Sequence, residues 1–270
     1  MANSVVSKTF CLLVAGALLS GFTHGQSTQT EPDKAQGAIG KVKVSEAIEK
    51  ARPDSPESIY FVEQIAQARA VQAVPMLEEK FVRTQDELDK AHIASALVRL
   101  GDNNDIYWDF QVKLVTQAVE SDAPSFMSFD SHGKSVPGPS PEFVAWADAH
   151  KLSHEGLGEK QMYLAPGPVG LLALTGDPRA VPLLRRALWS TNFMIEIMGA
   201  MGLAKIQDKD SIPWIIEACR RAPAEAAAVI AESLIYFDDP EAQRAVDEYI
   251  PKDAAKIYRD ARARGKKPLS

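Results

Sequence analysis

Two cysteines in 270 residues exclude a disulfide framework. Cys11 lies in an apolar N-terminal block that reads as part of an export signal, so Cys219 is expected to stand alone, as a small buried residue rather than a nucleophile. Long hydrophobic runs are missing too. The block at residues 10–19 is too short for a stable membrane anchor, which takes roughly 20 apolar residues, so no transmembrane segment is expected in the mature chain. Nor is there a basic excess: the formal charge is -6, and a mildly acidic surface argues against general nucleic-acid binding. The sequence has no G-x-S-x-G elbow, no phosphate-binding loop, no dinucleotide-type glycine fingerprint and no segment with a convincing strand pattern. No catalytic residue, cofactor-binding residue or metal ligand is therefore assigned, and the chain is expected not to be an enzyme.

What is present begins with the leader. Lys8 precedes the apolar block, and Thr23-His24-Gly25 places small residues where a signal peptidase cuts, so residues 1–25 are expected to be removed before Gln26. The product would be periplasmic or extracellular. Residues 26–55 follow as a flexible leader, polar with Gly and Pro punctuation over 27–41 and with a short helix at 42–50.

The rest is organised by repetition. Gly176-Asp177-Pro178-Arg179-Ala180-Val181-Pro182-Leu183-Leu184 runs from a turn into an apolar stretch, and Pro213 falls 31 positions after Pro182. Asp177, Asp208 and Asp239 share that interval, as do Leu172, Leu203 and Leu234. An earlier unit fits through Ala73-Val74-Pro75-Met76-Leu77. Each Asp suits an N-cap. Pro182, about a turn later, predicts a bent or late-starting first helix. The partner helix, residues 192–206, is apolar nearly all round and must be covered on several sides, which stacked helical hairpins achieve. The expected fold is therefore all-α: an α-solenoid of antiparallel helical hairpins over residues 56–250, interrupted by an irregular insertion at 121–165.

The period, the Gly-Asp-Pro-x-Ala-Val-Pro-Leu-Leu opening and the Ala-rich second helix resemble HEAT repeats, of the short type also found in phycobilisome lyases. The resemblance implies a scaffold that binds a protein or peptide and seldom catalyses; it fixes no functional residue.

The insertion carries Pro124, Gly133, Pro137, Gly138, Pro139 and Pro141, too many breakers for a helix, and displays Phe126, Met127, Phe129 and His132. These four are the candidate protein-binding residues. The competing expectation is that Phe126 and Phe129 tuck back over the helices. His150 and His154 are spaced to share a helix face, but Gly156 and Gly158 follow and supply no ligand. A metal-dependent enzyme using His132, His150 and His154, or a bilin-lyase-like protein, is thus the alternative. Residues 251–270 form a basic cap and tail, with seven Lys or Arg against two Asp. That end is either solvated or in weak contact with an anionic surface.

Overall fold

A computed structural model describes residues 44–151 and 166–269. The proposed signal peptide and its cleavage site, most of the leader, and His154 lie outside the described residues. The chain divides into two compact units, Met1–Asn104 and Asp105–Ser270. The protein is mostly helical.

In the first unit, α1 (Val44–Ala51) packs on α2 (Pro56–Gln67), α2 on α4 (Glu87–Arg99), and α3 (Val74–Arg83) on α4. The short helix expected at 42–50 is α1, and Ala47 and Ala51 bury its narrow apolar face. Lys80 is almost wholly enclosed, its ammonium donating to Pro53 O at 2.6 Å and lying 3.3 Å from Asp54. Arg99 and Glu63 form an ion pair at 2.7 Å, with little of either side chain exposed.

In the second unit the helices are α5 (Asp105–Glu120), α6 (Pro141–Ala149), α7 (Pro166–Thr175), α8 (Val181–Ala187), α9 (Phe193–Ile206), α10 (Ile212–Arg221), α11 (Ala224–Glu232), α12 (Pro240–Tyr249) and α13 (Lys252–Ala263). α9 packs on α7, α8 and α11, which accounts for its all-round apolar sequence; α8 also meets α5, and α10 meets α11 and α12. Small residues permit the closest approaches. A Cβ added to Gly202 would lie 2.7 Å from Ala173 Cβ, and one on Gly199 would lie 2.9 Å from Leu184 O.

A single turn module starts three helices. Arg69, Gly176 and Gln207 adopt positive φ, and four residues later Ala73, Ala180 and Ser211 are completely buried. Between them run 3-10 turns (Val71–Ala73, Pro178–Ala180, Lys209–Ser211), and each leads into Val74-Pro75, Val181-Pro182 or Ile212-Pro213 at the head of an α-helix. The proline ring is tolerated there because its missing N–H would have had no intrahelical partner. The first helix thus starts late, as its proline predicts.

The expected capping holds at two of the three aspartates. Asp177 accepts from Arg179 N at 2.9 Å, and Asp239 from Glu241 N and Ala242 N. Asp208 makes no such bond; its carboxylate accepts from Arg185 at 2.8 and 3.2 Å and from the Ser211 hydroxyl. A charged fork from the preceding first helix outcompetes a backbone N–H.

The insertion corrects a further expectation, because it contains strands. β1 (Met127–Phe129) pairs antiparallel with β2 (Ser135–Pro139), with a register irregularity between Met127 and Ser128. At the C-terminal end, α13 buries only Ala255 of its own residues but is held by polar contacts: Arg259 reaches Asp247 at 2.8 Å, and Arg262 reaches Ile235 O, Phe237 O and Asp238. Two of the tail's cations are thereby turned onto the protein.

Candidate functional site

Met127 and Phe129 lie on β1, Phe126 just before it and His132 in the turn that follows. Asp130 builds the turn: its carboxylate accepts from His132 N at 2.8 Å and Lys134 N at 2.9 Å. Gly133, at φ 74°, abuts Ala224, and a Cβ there would lie 2.6 Å from Ala224 N. The tip then clasps the start of α11. Glu225 N donates to Gly133 O at 3.1 Å, and Ser135 N donates to the Glu225 carboxylate at 2.8 Å. α11 has Pro223 at its N-cap and no side-chain cap, so the hairpin carbonyl satisfies one of its orphan donors.

Phe126 packs edge-on against Phe143 at 5.3 Å in a small core with Ala147 and Trp146, and Phe129 meets Phe193 of α9 edge-on at 5.3 Å. Both phenylalanines, like Met127, are half-buried, whereas His132 is exposed. The competing expectation, that the phenylalanines fold back, describes their contacts. Ser140 fixes the base of the hairpin, donating to Ser125 O at 2.6 Å and capping Phe143 N. His150 stacks on Trp146 with ring centroids 4.5 Å apart, and its Nδ1 lies 2.8 Å from Trp146 O. Among the described residues no three His, Cys, Asp or Glu side chains converge on a point. Cys219 is buried, and burial pushes its thiol up to about 12, so it is a protonated packing residue.

A second cluster emerges only in three dimensions. Trp189, after the end of α8, is 52% exposed, and Trp214, in the first turn of α10, is 42% exposed. Their rings meet edge-to-face at 6.2 Å and 87°. Arg221 backs Trp189 with its guanidinium 4.4 Å from the ring centroid, and is itself held by Leu188 O at 2.5 Å and the Glu196 carboxylate at 3.2 Å. Glu196 sits almost fully buried on α9; desolvation pushes its carboxyl up to about 7 against the opposing pull of Arg221. A usable signal did exist in the sequence: Ile212, Ile215, Ala218 and Cys219 mark the buried face of α10, which leaves Trp214 off it.

No family model matches the chain, and no curated protein matches it. No helix among the described residues is long and apolar enough to cross a membrane.

Proposed function

We propose that the chain is an exported, non-enzymatic helical-repeat scaffold of the HEAT type, an α-solenoid that binds another protein or a peptide. The observation that carries the proposal is the recurrence of one turn module: positive φ, a buried small residue, a 3-10 turn and a proline heading the next helix, at residues 69–75, 176–182 and 207–213. Such recurrence gives each unit the same geometry. The sequential packing of α7, α9 and α11 supports it, since a repeat array builds its core from neighbours. Two exposed tryptophans, Trp189 after α8 and Trp214 on α10, supply contact area of the kind that protein recognition uses.

The test is affinity capture with the chain from Gln26 as bait, on envelope and culture-fluid extracts, followed by titration of the purified partner. A scaffold retains a partner saturably and at fixed stoichiometry. Failure to retain any partner that binds again when purified would refute the proposal. For export, mass measurement of the secreted product should give Gln26 as its first residue; retention of Met1 in a cell-associated chain would refute that part.

A further inference from the structure

α13 and the turn after it are two-sided. On the inner side Ala255 is buried, Arg259 reaches Gln243 at 3.2 Å and Asp247 at 2.8 Å, and Arg262 reaches Ile235 O, Phe237 O and Asp238. At about 100° per residue, Lys252, Asp253, Lys256, Ile257, Asp260 and Arg264 share the other side, and all six are exposed. Ile257, the large hydrophobic residue of that side, is 60% exposed. The end of the helix is held as well. Gly265, at φ 90°, turns the chain; its N–H donates to Arg262 O at 2.8 Å, and that of Lys266 donates to Ala261 O at 3.0 Å. Pro268 is then buried, and Leu269 O accepts from Lys205 of α9 at 3.3 Å. Lys266 and Lys267, both exposed, are thus carried on a pinned turn rather than on a loose end.

The outer side has charge of one sign to spare. The inward arginines pair with Asp247 and Asp238, whereas among the described residues Lys252, Lys256, Arg264, Lys266 and Lys267 form no ion pair, and Glu232 is the carboxylate that senses Lys266. Five cations therefore stand with Asp253 and Asp260 alone on their own segment. Neighbouring acids do not balance them. Gln243 and Asp247 turn toward α13, which puts Glu241 and Glu248 on another face of α12, and Asp238 lies on the inner side with Arg262. Because the whole chain is at -6, this end is a basic pole on an acidic molecule, and the resulting field turns it toward an anionic surface.

The side chains favour a lipid surface over a folded acidic partner. Four of the five cations are lysines, which meet phosphate as mobile point charges and fix no bidentate geometry. They lie along the outside of a helix about 18 Å long, where laterally mobile headgroups can gather beneath each one. Ile257 stands among them as the apolar contact of an interfacial helix. We propose that the outer side of α13, with the Lys266-Lys267 turn, docks the chain onto an anionic lipid bilayer surface, its cations meeting headgroup phosphates and Ile257 entering the headgroup region. The scaffold function is not needed for this, because no partner protein takes part.

The test is flotation of the full chain from Gln26 with vesicles of phosphatidylcholine carrying about one-third phosphatidylglycerol, which gives the bilayer a negative surface potential. Binding is expected to these vesicles and not to phosphatidylcholine alone, and it should fall steeply between about 50 and about 300 mM salt as the screening length shortens. One cation near such a surface is worth about a fivefold change in partitioning, so the Lys252→Gln, Lys256→Gln, Arg264→Gln variant should bind on the order of a hundredfold more weakly. Ile257→Ser should weaken binding about threefold. The same charge removed elsewhere, in Lys134→Gln, Lys151→Gln, Lys209→Gln, should change it by less than about threefold. Far-ultraviolet spectra and urea midpoints matching the parent establish that the variants are folded; if the α13 triple variant fails this, Lys256→Gln, Arg264→Gln, expected to bind about 25-fold more weakly, replaces it. Absence of binding to the anionic vesicles at about 50 mM salt, undiminished binding to phosphatidylcholine alone, equal binding by the folded α13 variant, or binding of soluble polyglutamate with none of vesicles would each overturn the proposal.

Discussion

Gly202→Ala sets two known effects against each other at one atom. In the interior of α9 the change should stabilise, because glycine costs about 0.5–1 kcal/mol relative to alanine in a helix. The new Cβ, however, would lie 2.7 Å from Ala173 Cβ and 2.8 Å from Leu184 Cδ1. That is roughly 0.8 Å short of the ~3.5 Å at which carbon contacts become favourable. Ala173 has no rotamer to change, and Leu184 is completely buried, so α7 and α8 must yield together. Such overpacking costs about 1–3 kcal/mol, and the net expectation is destabilisation by about 1–2 kcal/mol. Gly170→Ala is the control. Its Cβ would meet only Met198, at 3.3 and 3.7 Å, and a flexible thioether can move aside, so the helix gain of up to about 1 kcal/mol should survive. Urea unfolding followed by tryptophan emission reads the right unit, because Trp108, Trp146, Trp189 and Trp214 all belong to Asp105–Ser270. If Gly202→Ala proves as stable as Gly170→Ala, the close approach of α9 to its neighbours is wrong.

The same emission assay tests a pH effect. Burial pushes Glu196 and Glu232 up to about 7, so between the unfolded value near 4.5 and that pH the folded unit binds more protons than the unfolded one. Stability should therefore rise on going from pH 7.5 to 5.5, by about 2 kcal/mol in total after allowance for partial solvation, and the Glu196→Gln, Glu232→Gln variant should lose the dependence. His92, in the first unit, has the opposite sign: desolvation holds it down to about 4, so acidification from pH 6.5 weakens α4, which amide exchange of that helix should report. The buried Gln111 amide has no hydrogen-bond partner among the described residues, and Gln111→Met should raise stability by about 1 kcal/mol; a loss would reveal a partner. Arg262→Ala removes the guanidinium from Ile235 O, Phe237 O and Asp238, and amide exchange should quicken across α13 while α9 keeps its protection.

The repeated starts were legible because they rest on backbone chemistry that single residues announce: a glycine for positive φ at 176 and a proline without a donor at 182. Where other side chains do the same work the signal fades. Arg69 and Gln207 take up positive φ without being glycine, and at Gln207 the side-chain amide compensates by donating to Ala204 O and Tyr236 O. The role of Asp208 was hidden because its partner, Arg185, lies 23 positions away. The hairpin was obscured by Pro137 and Pro139, which signal irregular chain yet are accommodated in a short two-stranded ribbon whose outer side has no ladder to break. The candidate insertion residues are neighbours in sequence, but the contacts of Phe126 and Phe129 depend on Phe143 and Phe193, which periodicity does not connect to them. The Trp189–Trp214 pair has no register in the 31-residue repeat, so repetition could not reveal it.

The clasp between Ser135 and Glu225 joins residues 90 positions apart. Helical hairpins can pack as they leave the ribosome, each on the one before, but this ribbon emerges long before the helix that receives it. At ~5–20 residues/s of synthesis, the wait is on the order of 5–20 s. Phe129 waits for Phe193, and for the whole of that interval Gly133 O and Ser135 N at the ribbon's tip have no helix to clasp. The nascent chain therefore carries its most aggregation-prone moment in the middle of its synthesis, and chaperone demand should fall abruptly once residue 225 is clear of the exit tunnel.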